Sequence, residues 1–400
     1  MLIDSSAATV PLAEVQPGYA LPRAFYTADA VFQADLERVY ARHWLFAGPA
    51  ARIPREGDFF TLRLAGAPLI VLRGRDGRVQ ALHNVCRHRG SVVCNAEQGR
   101  AKGLVCPYHQ WVYGLDGALL NARRMPEDLD KSQLGLKSAH LREVAGLLFV
   151  CLAKKPPPFD ELAAAFTTIL APHGLNDAQI AVRRTYTLEA NWKLVVENSR
   201  ECYHCQFGHP EYSAMMLADP ARPEHGRACA LHDQERREHY ARLGLSTAPA
   251  LGANYKLSRY PFMQPGAVSE SADGRAVAPV MGTLADPDAG VVGGYVFPNL
   301  QIECSSDYAV LFRFVPLAPT RTVVEATWLV RAGSVEGRDF DPARVTWFWR
   351  TTGEQDWKLC EDNQAGVNSP FFEPGPLAPE EHDDIGRFHR WYLEQLHGIM

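Results

Sequence analysis

An all-β domain followed by an α+β domain built on an antiparallel sheet is the architecture that the 400 residues predict. Short apolar runs punctuated by Asp-Gly turns fill the stretch from Asp58 to about Val150, and three consecutive prolines, Pro156-Pro157-Pro158, close it. Beyond them, apolar residues recur at helical spacing beside segments that alternate like strands. With 46% hydrophobic and 22% charged residues, the chain has ample material for a core, which excludes a disordered or fibrous protein. No run approaches the roughly 18 apolar residues of a membrane span, and Met1 to Pro22 lacks the basic flank and apolar core of a signal peptide. The expectation is a cytoplasmic chain with no membrane partner. Lys plus Arg, 41, against Asp plus Glu, 46, gives a net charge of -5 with no basic block, so nucleic acid is not expected as a partner either. Nine cysteines, an odd number without a dense framework, point to reduced thiols, some of them available to metal.

In chain order, residues 1–45 form an N-terminal segment expected to pack with the second domain, 46–155 the β domain and 156–400 the α+β domain. Phe59-Phe60-Thr61-Leu62-Arg63-Leu64 and Ala67 to Leu72 read as strands, with tight turns at Arg75-Asp76-Gly77 and Leu115-Asp116-Gly117. The prolines at 156–158 forbid both helix continuation and ladder donation. Phe159 to Leu170, Trp192 to Cys205 and Val345 to Gly366 predict helices, the last stopped by Asn368-Ser369-Pro370. Gly293 to Phe297, Ala309 to Val315 and Thr322 to Val330 predict the sheet, and Pro220 to Pro287 an irregular insertion. There is no internal repeat.

Cys86-Arg87-His88 is followed, after seventeen residues, by Cys106-Pro107-Tyr108-His109. Two loops closing on each other would present two sulfurs and two nitrogens. Zinc pairs usually repeat one residue type, as in Cys-x2-Cys, so this alternation better suits a cluster in which one iron takes both cysteines and the other both histidines. That is the Rieske [2Fe–2S] arrangement. With Arg89-Gly90 after the first half and Gln110-Trp111 after the second, Cys86 to Trp111 resembles the cluster motif of Rieske non-haem iron oxygenases. Cys94, between the halves, reads as a packed thiol.

A second donor set lies in Glu201-Cys202-Tyr203-His204-Cys205-Gln206-Phe207-Gly208-His209-Pro210. Glu201 and His204, three apart, would share a helical face. His209 would point about 140° away from His204 on a continuing helix, so both rings can meet one metal only if the helix stops, and Gly208 and Pro210 supply a stop. Asp356, flanked by Trp349, Trp357 and Leu359, is the candidate third ligand, with Glu354 and Glu361 as alternatives. Two imidazoles and one carboxylate on one side of Fe(II) leave positions open for O2 and substrate. Cys202 and Cys205, with no second dithiol nearby, are expected to be packing thiols.

Here too the chain is similar to the Rieske oxygenases, in Asn191-Trp192-Lys193, His-x4-His and Asp356-x4-Glu361-x2-Gln364-x-Gly366. The resemblance runs from about Phe25 to Leu396 and implies a helix-grip catalytic domain and a homotrimer in which one subunit's cluster serves its neighbour's iron. It also implies NAD(P)H electrons from a separate flavin and iron–sulfur reductase; this chain carries no GxGxxG-headed βαβ unit. In ring-dihydroxylating members an aspartate bridges the two metal sites. The glutamate at that position here, Glu201, resembles the subgroup acting on quaternary ammonium compounds such as glycine betaine, proline betaine, carnitine and choline. The activity implied is hydroxylation of an N-methyl group, with release of formaldehyde and the demethylated amine. A tetraalkyl ammonium has no N–H to donate, so aromatic faces must hold it, each contributing roughly 0.5–2 kcal/mol, while a polar or basic group meets its carboxylate. Tyr203, Tyr295, Phe297, Tyr308 and Phe312 are candidate walls, with Tyr260 and Phe262 beside them. An oxygenase of aromatic carboxylates or ethers would use the same metals, whereas a bare electron carrier would leave the second donor set without a purpose.

Overall fold

The structure, a computed structural model, describes residues 14–216, 223–378 and 382–397, without the side chains of 223–230 and 382–383. The beginning of the segment 1–45 and of Pro220–Pro287 therefore falls outside the described residues. Packing divides the chain into two units, Tyr40–Phe159 on the one hand and residues up to Val39 with those from Asp160 on the other. Among the described residues no helix is long and apolar enough to cross a membrane.

In the first unit the strands are β1 (Leu45–Pro49), β2 (Asp58–Leu64), β3 (Ala67–Arg73), β4 (Val79–His83), β5 (Gln98–Arg100), β6 (Leu104–Val105), β7 (Val112–Tyr113), β8 (Leu119–Asn121), β9 (Ser138–Val144) and β10 (Leu147–Cys151). A seven-stranded antiparallel sheet runs β1-β10-β9-β4-β3-β2-β5, and β6-β7-β8 form a three-stranded one. The two predicted turns close the β3–β4 and β7–β8 hairpins. In each, an aspartate oxygen takes the N–H two residues on, Asp76 from Arg78 and Asp116 from Ala118, both at 3.0 Å. Ile70, Leu72 and Leu82 of the large sheet pack with Leu104, Tyr113 and Leu119 of the small one, and Trp111, Cys86 and Cys106 belong to the same core.

The second unit is built on β11 (Gln179–Leu188), β12 (Ala250–Leu251), β13 (Tyr255–Tyr260), β14 (Val291–Val296), β15 (Leu300–Cys304), β16 (Tyr308–Ala318) and β17 (Arg321–Val330). They make one antiparallel sheet in the order β11-β17-β16-β15-β14-β13-β12. The α+β expectation holds; β11 was not among the expected strands, although Ile180, Val182, Tyr186 and Leu188 alternate in it. Two expectations are corrected. Pro220–Pro287 is less irregular than its composition suggests, for it holds a helix over Pro223–Arg242 and the strand β13. The helix expected over Trp192–Cys205 spans Trp192–Asn198, and a 3₁₀ turn follows at Cys202–His204. Asn198 and Ser199 are weak helix formers, and the Ser199 hydroxyl donates back to the Val196 carbonyl at 3.2 Å, competing with the next helical turn.

The start of that helix is anchored with unusual density. The Asn191 side chain caps it by accepting from the Lys193 N–H at 2.9 Å, and the Asn191 N–H donates to Gln364 Oε1 at 2.8 Å. Buried Asp35 takes the Trp192 indole at 2.9 Å, Lys193 Nζ at 2.5 Å and the Tyr392 hydroxyl at 2.6 Å. Burial lowers the Lys193 pKa, and Asp35 opposes that shift. Gln364 belongs to the helix Pro342–Val367, whose own N-terminus is capped by Asp341. These contacts tie the helix that leads into the two histidines to the helix that carries Asp356.

Candidate active site

In the β unit, two loops are built on one plan. The Cys86 N–H donates to the Ser91 carbonyl and the Gly90 N–H to the Cys86 carbonyl, at 2.8 and 2.9 Å. In the other loop the Cys106 N–H donates to Trp111 and the Gln110 N–H to Cys106, at 2.9 and 3.1 Å. Each closure needs a left-handed residue four places after the cysteine. Gly90 adopts φ 77° without penalty, and Gln110 adopts φ 59° at a cost of about 1–2 kcal/mol. The cysteines are buried and the imidazoles half-buried, with ring centroids 4.5 Å apart. His88 stacks on Trp111 at 4.8 Å and 10°, and its Nδ1 is buried with no hydrogen-bond partner. The Tyr113 hydroxyl, 3.1 Å from Cys86 Sγ and accepting from the Arg87 N–H at 3.0 Å, keeps its proton because burial and the hydrogen bond to Cys86 raise its pKa. Two buried thiols, two half-exposed imidazoles and an orphaned ring nitrogen suit a [2Fe–2S] cluster of the Rieske type. Cys94 packs on this core, as expected.

In the second unit, His204 and His209 meet Asp356, 152 residues away from the first of them, at 3.3 and 2.9 Å from Nε2 to the same Oδ1. His209 is reached because the chain leaves helical geometry there, at φ -133° and ψ 77°, before Pro210. Both rings are locked in one tautomer. His204 Nδ1–H donates to the Glu201 carbonyl at 2.9 Å, which can only accept. His209 Nδ1–H donates to Gln355 Oε1 at 2.8 Å, and Gln355 is held that way round because its amide donates to Glu211 at 3.0 Å. Both Nε2 lone pairs are thus free to face the Asp356 carboxylate. Three such acceptors repel unless a positive charge sits among them, so the donor set suits a divalent iron. Burial pushes the His209 pKa down, and Asp356 pushes it further up; Asp356 is held below its ordinary range, burial opposing the two histidines. The alternatives to Asp356 are spent elsewhere: Glu361 accepts the Glu189 N–H at 3.0 Å, and exposed Glu354 faces the Tyr186 hydroxyl at 3.5 Å.

Glu201 sits differently from its helical prediction. Lying between the helix and the 3₁₀ turn, at φ -122° and ψ 75°, it orients His204 through its backbone carbonyl, while its carboxylate accepts the Ala378 N–H at 2.7 Å. The expectation of packing thiols at Cys202 and Cys205 is also corrected. They are joined in a disulfide, the 3₁₀ turn bringing their Cα atoms to 5.4 Å. Cys205 Sγ lies 3.9 Å from His204 Nε2 but, bonded to Cys202, has no thiolate to offer a metal.

A cavity of about 460 Å³ opens beside the three ligands. On the long helix, Trp349, Thr352 and Asp356 line it from one face. Of the aromatic candidates, Tyr295 lines it together with Tyr260, and Tyr212 and Trp349 were missed. Tyr203 is corrected, being 62% exposed at the 3₁₀ turn and away from the cavity. Phe297 stacks on Tyr295 at 4.5 Å and packs on Phe388 and Trp391 as core. Phe312 is covered by Trp349 and Trp357, and Tyr308 is buried with its hydroxyl on the Glu270 carbonyl at 2.7 Å. Phe262 is buried outside the lining.

Apart from the three ligand candidates, the polar lining escaped the sequence reading. Arg200, Lys256, Gln301, Glu270 and Glu303 face the cavity from four segments. Burial raises the pKa of Glu303 and of Glu270, and Glu270's charge raises Glu303 further. Glu303 has room because its partner across the ladder is Gly293, where a Cβ would lie 2.4 Å from Oε2. Glycine within a strand at that point was the available signal.

Family models match both units: the Rieske [2Fe-2S] domain over residues 43–140 and the ring hydroxylating alpha subunit catalytic domain over residues 175–398. The chain is 36% identical to the glycine betaine monooxygenase oxygenase subunit of Pseudomonas aeruginosa, across 94% of this chain and 89% of that protein. It is 37% identical to the subunit of the same name from Chromohalobacter salexigens, across 96% of this chain and 87% of that one. Among solved structures, the quaternary ammonium Rieske monooxygenase CntA in complex with its substrate L-carnitine shares the fold, with a TM-score of 0.72 at 21% identity over 96% of this chain and 97% of that one.

Proposed function

The chain belongs to the family of ring-hydroxylating oxygenase alpha subunits that carry a Rieske [2Fe-2S] domain, and we propose that it N-demethylates a betaine-like quaternary ammonium compound. Family membership makes it an oxygenase with a Rieske cluster and a mononuclear iron. When bound, these groups supply electrons and activate O2 so that one oxygen atom enters a C–H bond. Cys86, His88, Cys106 and His109 hold the cluster, and His204, His209 and Asp356 hold the iron. The observation that carries the reading is the convergence of two tautomer-locked histidines on one Asp356 oxygen at the wall of the cavity.

The residues of this chain then have separable tasks. Tyr212, Tyr260 and Trp349 offer aromatic surface to an onium group, the binding mode left to a cation without N–H donors, whereas Tyr295 is already covered by Phe297 and Arg200. The Glu201 carbonyl and Gln355 keep both imidazoles oriented, and the Glu201 carboxylate is the link to the cluster of a partner subunit in a homotrimer. Electrons come from NAD(P)H through a separate flavin and iron–sulfur reductase. Hydroxylation of an N-methyl carbon gives a carbinolamine, which collapses to formaldehyde and the demethylated amine. The similarity to glycine betaine monooxygenase subunits over nearly the whole chain supports a small betaine as substrate.

Oxygen uptake with a compatible reductase, measured with formaldehyde over glycine betaine, proline betaine, carnitine, choline and an aromatic acid, tests this. Uptake matched by formaldehyde for a betaine is expected. Formaldehyde-free turnover of the aromatic acid with no response to any onium compound would overturn it.

A further inference from the structure

A buried guanidinium and two buried carboxyl groups face the same cavity. Arg200, nine-tenths buried, lies over Tyr295 with its Cζ 4.0 Å from the ring centroid. Its Nη2 reaches Ser199 Oγ at 3.0 Å and Gln301 Oε1 at 3.4 Å, and its Nε is buried with no hydrogen-bond partner. The other cation of the lining, Lys256, is already paired with Asp384 at 2.5 Å. Asp384 and Glu303 act on this guanidinium through space, but its direct contacts are a ring and neutral oxygens, which leaves hydrogen-bonding capacity for an anion.

The carboxyl pair begins two residues further along β15. Gln301 and Glu303 share a face of that strand, about 6.8 Å apart, and the Gln301 amide donates to Glu303 Oε1 at 3.3 Å. Glu270 lies beyond, its Oε2 accepting from Ser305 at 3.1 Å and its Oε1 buried with no hydrogen-bond partner. Burial holds both glutamates toward the neutral acid. Two buried carboxyl groups facing an open cavity, in their ionised form, are stabilised by a cation that enters it, and Tyr212 and Trp349 line the same cavity.

We propose that this is a built zwitterion site, in which Arg200 takes the carboxylate of a compact betaine and the Glu303–Glu270 pair takes its quaternary ammonium. Arg200 is then a specificity-determining residue that separates betaines from onium compounds lacking a carboxylate. The assignment rests on the reading of the chain as a quaternary-ammonium oxygenase.

Calorimetric binding to the oxidised holoenzyme under argon tests it with three probes: glycine betaine with both charges, choline with the cation alone, and tert-butylacetate with the anion alone. Arg200→Gln should weaken glycine betaine and tert-butylacetate about 30-fold and leave choline within about twofold. Glu303→Gln should weaken glycine betaine and choline and spare tert-butylacetate. Arg200→Lys, which keeps the charge without the planar fork, should recover part of the loss, and iron content with far-UV circular dichroism confirms that each variant is folded and loaded. Wild-type binding of glycine betaine with unchanged affinity in Arg200→Gln overturns the zwitterion site and leaves the functional reading standing. Equal weakening of all three probes by Arg200→Gln overturns the site as well. Failure of the wild type to bind any onium compound removes both.

Discussion

The two donor sets of this chain are assembled on opposite principles. In the β unit each loop carries one cysteine and one histidine within four residues, and backbone hydrogen bonds local to the loop fix its shape. In the catalytic unit the donors come from a broken helix and from a long helix 152 residues further on, and side-chain contacts align them. A local set tolerates change in the surrounding fold, because its geometry is stored in the loop. A distributed set is sensitive to any contact that holds its segments in register, and it can therefore open onto a substrate cavity, as the first has no need to do.

If this contrast is right, the sharpest break is Asp356→Ala. Two histidines hold iron weakly without the carboxylate, so the mononuclear iron and all turnover should be lost while the cluster's absorption and paramagnetic spectra persist. Metal analysis beside the spectra checks it, and retention of both iron and activity would show that another carboxylate is the ligand. The complementary change in the local set, His88→Cys, should leave the loop folded and lower the cluster potential by roughly 100 mV or more, since thiolate donates more charge than imidazole and one of the two imidazoles is replaced. Redox titration reads that directly; an unchanged potential in an iron-replete variant removes His88 from the ligand set.

Smaller effects probe what lies behind the ligands. Glu201→Gln preserves the backbone carbonyl that orients His204, so both metals should stay bound while turnover falls on the order of 100-fold. Single-turnover mixing of the reduced enzyme with O2 and substrate distinguishes slow cluster oxidation from faulty iron loading. Gln355→Leu frees the His209 ring and should weaken iron binding about tenfold, with no change in the cluster spectrum. Competition with a chelator measures the loss.

Acid should separate the two regions by stability. His173 in the catalytic unit is fully buried, hydrogen-bonded to the Ser305 carbonyl at 3.1 Å, and its pKa is depressed to about 3 by burial and by the charge of Arg259. Above pH of about 6.5 the ring is neutral whether the chain is folded or unfolded, and it contributes no pH dependence. Below that the unfolded chain takes up a proton that the folded chain refuses, so stability falls by about 1.4 kcal/mol per pH unit until the folded pKa is reached. Denaturant unfolding of the catalytic unit between pH 7 and 5 should show this slope in the wild type and a shallower one in His173→Gln.

Much of this protein was legible in the chain itself. The cluster loops could be read because their chemistry lies within short spacings: Cys86 and His88, Cys106 and His109, and the glycine at position 90 that a left-handed closure favours. The hairpin turns at Gly77 and Gly117, the strands β14, β16 and β17 and the helix carrying Asp356 were likewise written in periodicity and turn chemistry. The motif residues Asn191, Glu361 and Gln364 could be noticed but not understood, since they serve as caps and struts between segments far apart in sequence. The break after Asn198, the Cys202–Cys205 pair and the Glu201 carbonyl on His204 are local features whose sequence signals were weak, whereas tertiary structure alone decided that Asp356 meets both histidines and that Phe312 lies beneath the long helix. It also decided which charges face the cavity. A buried arginine or glutamate has the same one-letter code as an exposed one, and its meaning is set by what the fold removes from water and what it leaves unpaired beside it.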